Sequence, residues 1–380
     1  MKTRIQGASI QSLGTLVRAG LWESKIDLLS YGAIDFAAVY QLAEKQSVVG
    51  LVAAGMEHVS DMRIMKSDAL PFLKKVYSLE QRNLAMNEYI GKLIQRLRDA
   101  GIYSILVKGQ GVAQCYERPL WRACGDVDLF LSEDNYEKAK AFLIPLASDV
   151  HKELLREKHL GMTFGSWTIE LHGCLYTGLS YRIEKELDEI KKDTFNNANV
   201  RTWENGDVPV FLLAVENEVF YVFSHILQHF YKGGIGLRQI CDWCRLLWTY
   251  RSSLDVSLLE RRLHRAGLMS EWKAFGAFAV EFLGMPIEAM PFLDPLWRDK
   301  GMRLKRQAER IKDFVIMSGN FGQNRDMSYY RKYPYVIRKA ISFGRRLGDL
   351  GRHAVIFPVD SLRFMPRIVF NGVSSALRRE

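Results

Sequence analysis

No apolar run in the chain approaches the roughly 18–20 residues that a membrane-crossing helix requires, so no transmembrane segment is expected. The opening residues, MKTRIQGASIQSLGTLVRAG, carry early positive charge without a long apolar stretch, and no secretory signal is expected there. Internal repeats and low-complexity tracts are also missing, which argues against a solenoid and against a disordered chain. Cysteine is scarce. The five present (Cys115, Cys124, Cys174, Cys241, Cys244) are odd in number and scattered, which excludes the spacing of a disulfide framework and fits a reducing, cytoplasmic setting.

What is present is the composition of an ordinary globular protein, 48% apolar and 25% charged, over a length that allows two or three domains. The net charge of +10 is unevenly spread: from Arg298 to the end there are 19 Lys/Arg against 7 Asp/Glu. A basic C-terminal third can meet nucleic acid, an anionic substrate or an anionic membrane surface. It can equally be the solvated face of ordinary helices.

Hydrophobic periodicity divides the chain. IDFAAVYQLAEKQSVVGLVAAGMEHV and LPFLKKVYSLEQRNLAMNEYIGKLIQRLRDAG have helical spacing, the second closing at Gly101, a C-cap residue. The texture then changes. IYSILVKG (102–109) and DVDLFLS (126–132) read as short buried strands, and HLGMTFGSWTIELHGCLY as an antiparallel pair. EDNYEKAKAFLIPL reads as a helix capped by Ser132. From about 182 onward the pattern is helical again, through FLLAVENEVFYVFSHILQHFYKG and GLRQICDWCRLLWTYRS to an amphipathic, basic tail.

Chemistry concentrates in the middle. Lys-Gly-Gln-Gly at 108–111 ends one strand, and Arg-Ala-Cys-Gly-Asp-Val-Asp at 122–128 leads into the next. Residues two apart on a strand share a face, so Asp126 and Asp128 project together with Val127 packed behind them. Paired carboxylates repel unless a cation lies between them, and Mg²⁺ or Mn²⁺ suits carboxylate and phosphate oxygens. Glu170, framed by Ile169 and Leu171, completes the cluster if its strand lies beside 126–132. Two ions about 3.5–4 Å apart would then clamp the attacking and leaving oxygens of a phosphoryl or nucleotidyl transfer. Gly109 and Gly111 sit where a strand gives way to a helix, a position suited to close phosphate approach. Lys108 and Arg122 are the cations for a triphosphate, Arg122 through a bidentate contact. D-x-D or G-x-G alone is common; the ordered combination on successive strands carries the argument.

At these residues the chain resembles the polymerase-beta-like nucleotidyltransferase superfamily. More closely, it is similar to a poorly characterised bacterial nucleotidyltransferase family with the pattern LKG…R…GDiDlLv…EiH. That pattern stands here as LVKGQG (106–111), RACGDVDLFL (122–131) and IELHG (169–173). HILQHFYKGGIGLRQICDW (225–243) extends the likeness, so that roughly 30–280 are covered. The resemblance implies that Asp126 and Asp128 are the metal-binding pair and that Glu170 is the third acid, a base or ligand. It also implies that Gly109 is the glycine of the phosphate turn. The chain departs at Gln110, where the wider superfamily has Ser or Gly.

Other signals are weaker. His225 and His229 share a helix face, but Ile226 stands where a zinc-protease motif needs Glu. His229 is expected to touch a neighbouring helix, Asp242 or the cleft, and His172 shares a face with Glu170. Arg238 and Asp242 are spaced as a helical ion pair or as cleft residues. Cys241-x-x-Cys244 has no second pair, and buried helical cysteines are expected. Tyr329, Tyr330, Arg331, Lys332, Tyr333 and Tyr335 have the composition of a nucleic-acid surface or of a core stripe.

The expectation is an α+β protein with a small mixed-sheet, polymerase-beta-like core flanked by helical segments. Its divisions are a helical segment at 1–100, the α/β core at 101–180, a helical domain at 181–290 and a basic, partly helical tail at 291–380. The resemblance implies metal-dependent transfer of a nucleoside monophosphate from an NTP, with Mg²⁺ or Mn²⁺, to an unidentified acceptor. A small molecule, sugar or protein is expected ahead of nucleic acid. Two alternatives stand beside it, a nucleotide-binding or regulatory module without turnover and a kinase-like γ-phosphoryl transferase.

Overall fold

The computed structural model describes residues 2–300, 302–320 and 334–377. Four helices lead: α1 (Lys2–Trp22), α2 (Phe36–Gln46), α3 (Val49–Met56) and the long α4 (Lys66–Asp99). The Asp35 carboxylate accepts from the Ala38 N–H at 2.9 Å and starts α2. The apolar periodicity runs unbroken into α3, yet the backbone breaks at Ser47, which adopts a left-handed conformation. Helix α4 closes as its sequence indicates, with the Gly101 N–H donating to the Arg98 carbonyl at 2.8 Å.

One seven-stranded mixed sheet follows. Its strands are β1 (Ile105–Val107), β2 (Asp126–Phe130), β3 (Asp149–Val150), β4 (His159–Phe164), β5 (Trp167–His172), β6 (Val200–Asn205) and β7 (Val208–Leu213). Their spatial order is β3-β4-β5-β2-β1-β7-β6. The pairs β2–β5 and β1–β7 are parallel and the remaining four antiparallel. Between strands lie α5 (Gly109–Ala113), α6 (Glu133–Leu143) and α7 (Tyr181–Asn196). Ser132 caps α6, its hydroxyl accepting from the Asn135 N–H at 3.4 Å.

The sheet reaches past residue 180. Helices alone were expected from about 182, but the hairpin β6–β7 joins the far edge of the sheet beside β1. The physical reason is local: Asn-Gly-Asp at 205–207 supplies a tight turn between two alternating runs, and Asn205 pairs with Val208 across it. The strand-bearing segment therefore spans 105–213.

Alternation on the strands builds two faces. Leu106, Val127, Leu129, Ile169, Leu171, Val210 and Leu212 point to one side, where they pack with Met86, Ile90 and Ile94 of α4 and Tyr136 of α6. Ile105, Val107 and Phe130 point the other way, into a larger core formed with the later helices. Asp126, Asp128 and Glu170 alternate with the first set, so they too face those helices.

The later helices are α8 (Val215–Lys232), α9 (Leu237–Thr249), α10 (Val256–Ala266), α11 (Met269–Phe282), α12 (Trp297–Lys300) and α13 (Met302–Ser318). Two more run over Tyr335–Ile356 and Pro358–Leu377. Fully buried aromatic side chains (Phe223, Phe230, Trp243, Trp272, Phe275) fill this half. The basic tail is part of the same core: His353 and Phe357 pack on Phe230, and Phe364 packs on Tyr231. Some of its cations are spent in the fold, Arg310 on the Val355 carbonyl and Arg363 on the Gly267 carbonyl. Tyr329, Tyr330, Arg331, Lys332 and Tyr333 lie outside the described residues; Tyr335 begins a helix. No described helix is long and apolar enough to cross a membrane.

Candidate active site

Strand pairing brings the three acids together. In the parallel pair β2–β5, Asp128 stands in register with Glu170 and Asp126 with Thr168. Neighbouring strands are about 4.8 Å apart, so the three carboxylates occupy one small patch. The aspartates push against each other. Repulsion from Asp128, reinforced by burial, raises Asp126 up to about 6. Burial also acts to raise Asp128, but the charge of Lys108 and a hydrogen bond from His172 outweigh it and hold Asp128 well below the usual carboxylate range. For Glu170, burial is likewise outweighed, here by the hydrogen bond with His159, and its carboxyl stays below the ordinary value.

Lys108 is the cation nearest these acids. Its ammonium lies 3.0 Å from Asp128 Oδ1 and 5.8 Å from the centre of the Tyr221 ring. Burial works to discharge it, but Asp128 overrides this and keeps it firmly protonated. The backbone at Lys108 has φ +59°, a region that costs a side-chain-bearing residue about 1–3 kcal/mol and is characteristic of functional turns. Gly109 follows at φ +46°, where a β-carbon would lie 3.4 Å from Cys124 Sγ. Glycine there allows the chain to turn sharply from β1 into α5 against the Cys124–Asp126 segment.

Gln110 points away from this site. It is buried and its amide donates to Asn83 Oδ1 at 2.8 Å. Asn83 in turn donates to the Leu120 and Arg122 carbonyls at 2.7 and 2.8 Å. Gln110 thus braces the 119–122 turn.

Helices α8 and α9 roof the patch and enclose a cleft of about 220 Å³ that opens to solvent. Lys108, Gly109, Asp126, Asp128 and Glu170 line its floor. His225, His229, Arg238, Gln239 and Asp242 line its roof, with Arg122 at one side. Gly111 is buried beneath, where a β-carbon would strike Leu212 at 2.8 Å, so its role is packing of α5 on β7. The His225 and His229 Nε2 atoms are 3.1 Å apart. Burial drives both imidazoles toward the neutral form, His225 well below its ordinary value and His229 to about 3, with the charge of Lys108 adding to each.

Arg122 differs from its expected use. Its bidentate contact is with Asp242, Nε to Oδ1 at 3.0 Å and Nη2 to Oδ2 at 2.6 Å, and the Tyr116 hydroxyl donates to the same carboxylate at 2.7 Å. Only Nη1 is left without a hydrogen-bond partner. A carboxylate 120 residues away in sequence has taken the fork expected to grip phosphate. Arg238 lies at the rim, with Nη1 donating to the Ala123 carbonyl at 3.1 Å.

His159 was not singled out by the sequence. It stands opposite His172 in the β4–β5 hairpin. Its Nε2 is 3.0 Å from Glu170 Oε2, while His172 Nε2 is 2.8 Å from Asp128 Oδ1. Glu170 raises His159 through that hydrogen bond, whereas burial lowers His172 despite Asp128. The antiparallel pair was expected, and the missed signal was its register. Gly165, at φ +60°, starts a two-residue loop that pairs Phe164 with Trp167. Counting outward from that pair sets His159 against His172. Cys241 and Cys244 are buried on α9, with no disulfide.

A family model described as "Uncharacterised nucleotidyltransferase" matches residues 32–284, which include every cleft residue named above. No curated protein and no solved structure matches the chain.

Proposed function

This chain belongs to the uncharacterised nucleotidyltransferase family, and from that membership we propose that the cleft transfers a nucleoside monophosphate from an NTP to an acceptor, with divalent metal. The observation that carries the reading is the register of Asp128 with Glu170, with Asp126 on the same face. The donor set fits Mg²⁺ or Mn²⁺. It is all oxygen, and the mutual repulsion that pushes Asp126 up to about 6 is what a divalent cation relieves. Asp126, Asp128 and Glu170 would hold such ions, which when bound neutralise phosphate charge and orient its oxygens.

The remaining work falls to the chain's own groups. Lys108 and the turn at Gly109 receive the triphosphate, while Arg122, its fork taken by Asp242, fixes the wall of the cleft beside them. Glu170, kept ionised by its hydrogen bond with His159, accepts the proton of the acceptor hydroxyl. The acceptor oxygen forms a bond to the α-phosphorus, the bond from that phosphorus to the β-phosphate oxygen breaks, and pyrophosphate leaves. A cleft bounded by sheet and helices favours a small molecule, a sugar or a protein side chain over a duplex nucleic acid as acceptor.

The test is to incubate the protein with Mg²⁺ and each NTP labelled at the α- or γ-phosphate, offering a metabolite extract and the protein itself as acceptors. Transfer of α-label with pyrophosphate release is expected. Transfer of γ-label would instead mean a kinase-like reaction. Nucleotide-dependent stabilisation without transfer of either label would mean a binding module.

A further inference from the structure

The hairpin β4–β5 carries a second set of donor atoms beside the aspartates, and its chemistry differs from theirs. His159 is in register with His172, and Gly161 with Glu170. His172 and Glu170 are two apart on β5, so both imidazoles and the carboxylate lie on one face. Their donor atoms converge. His159 Nε2 is 3.0 Å and His172 Nε2 3.7 Å from the same oxygen, Glu170 Oε2. All three atoms lie within 4.8 Å of one another.

We propose that His159, Glu170 and His172 form a binding site for a first-row transition-metal ion such as Zn²⁺, which shares Glu170 with the acidic set and draws on the His172 Nε2 that otherwise lies 2.8 Å from Asp128 Oδ1. Zinc bonds to imidazole and carboxylate at about 2.0–2.2 Å, which puts tetrahedral donors roughly 3.3–3.5 Å apart. The two measured separations, 3.0 and 3.7 Å, bracket that edge. The third pair of ligand atoms lies within 4.8 Å. Imidazole favours zinc and its neighbours, whereas Mg²⁺ prefers oxygen alone, so the two centres select different ions. The set is also reachable: the side chains of His159 and Glu170 are 27% and 28% exposed and that of His172 13%. Three protein ligands leave a fourth position open for water or for an oxygen of a bound substrate. This inference stands whether or not the cleft transfers a nucleotidyl group.

The experiment uses the full chain, free of nucleotide, with Co²⁺ as optical probe and Zn²⁺ for stoichiometry by elemental analysis. One ion per chain is expected, with visible ligand-field bands that millimolar Mg²⁺ does not abolish. His159→Gln and His172→Gln should each weaken Co²⁺ binding at least tenfold. Asp126→Asn should leave it within a few-fold of wild type. Binding by His159→Gln at wild-type strength overturns the proposal, as does the absence of any bound Co²⁺. X-ray absorption on the Zn²⁺-loaded wild type counts imidazole ligands without any variant having to fold: two support the site, none or one overturns it. Mg²⁺-dependent stabilisation by NTPs, measured in parallel, reports on the nucleotide site alone. Its absence alongside intact Co²⁺ binding would sink the transfer reading and leave this one standing.

Discussion

Asp128 and Glu170 stand in register across the parallel strands β2 and β5, and each is engaged from its own side. The Lys108 ammonium is 3.0 Å from Asp128 Oδ1, and His159 Nε2 is 3.0 Å from Glu170 Oε2. Both acids are thereby held ionised. The repulsion within the cluster falls on Asp126, two residues up the same strand, which burial and the Asp128 charge drive up to about 6. The metal-free site is therefore under electrostatic strain at one identifiable carboxylate, and that strain has measurable consequences.

Asp126→Asn should stabilise the metal-free protein while removing its activity. The folded-state value of Asp126 is raised above its ordinary 3.8. Its contribution to stability is therefore fully present below about pH 4 and is lost as the pH rises through about 6. At pH 7 the ionised group costs on the order of 1–3 kcal/mol, and the amide avoids that cost. The variant should melt above wild type at pH 7, with the gap closing toward pH 4. Nucleotidyl transfer should fall by at least about 100-fold, since even outer partners of metal ligands cost 10–100-fold. A variant that melts lower at pH 7 would contradict the repulsion argument.

Lys108→Met should separate the two roles of that lysine. In the metal-free protein its charge compensates Asp128, so its loss leaves that buried carboxylate with the His172 hydrogen bond but without its cation, at a cost of up to about 3–5 kcal/mol. A divalent ion can supply the missing charge. Thermal melts with and without Mg²⁺ should show a larger metal-induced rise in Lys108→Met than in wild type, together with weaker NTP binding. Equal Mg²⁺ shifts in the two proteins would show that Lys108 is not the stand-in cation.

The acids were legible in the sequence because a strand's period of two is a local rule. Val127 and Leu129 frame Asp128 as Ile169 and Leu171 frame Glu170, and each apolar pair buries on the α4 side of the sheet. What escaped depended on partners remote in sequence. His159 acquires meaning only once the turn at Gly165 fixes which residue it opposes. The β6–β7 hairpin was masked by the strong helical pattern that follows it, although Asn205-Gly206-Asp207 marks its turn. Arg122 had the right chemistry for phosphate, but Asp242 on α9 claims its fork. No spacing rule connects those two positions.

That buried pair gives a third prediction. Arg122 and Asp242 are both nearly inaccessible, with side-chain exposures of 4% and 8%. Arg122→Met alone should destabilise by about 3–5 kcal/mol, because Asp242 keeps only the Tyr116 hydroxyl. The double replacement Arg122→Met/Asp242→Leu should recover most of that loss, since no charge is left stranded. Denaturant unfolding of the three proteins closes the cycle. If the double variant is as unstable as the single one, the pair is not compensating itself and Arg122 has a further buried partner.

Far from the cleft, Glu271 on α11 is fully buried, with Tyr231 and Asp360 acting on its carboxyl group. Burial, with the Asp360 charge adding, pushes it up to about 8. In the unfolded chain it titrates near the ordinary 4.5, so the folded state holds its proton more tightly. Its contribution is complete below about pH 4.5 and is lost as the pH rises through 8. Glutamine mimics the protonated form. Glu271→Gln should match wild type near pH 4.5 and exceed it by on the order of a few kcal/mol at pH 8 and above. Urea unfolding at stepped pH reads the difference directly. Parallel curves for the two proteins across this range would mean that Glu271 is ionised in the fold, compensated by a neighbour such as Arg363, whose charge acts on it. The basic tail helix would then be held to α11 by charge, and high salt should weaken that hold in wild type but not in Glu271→Gln.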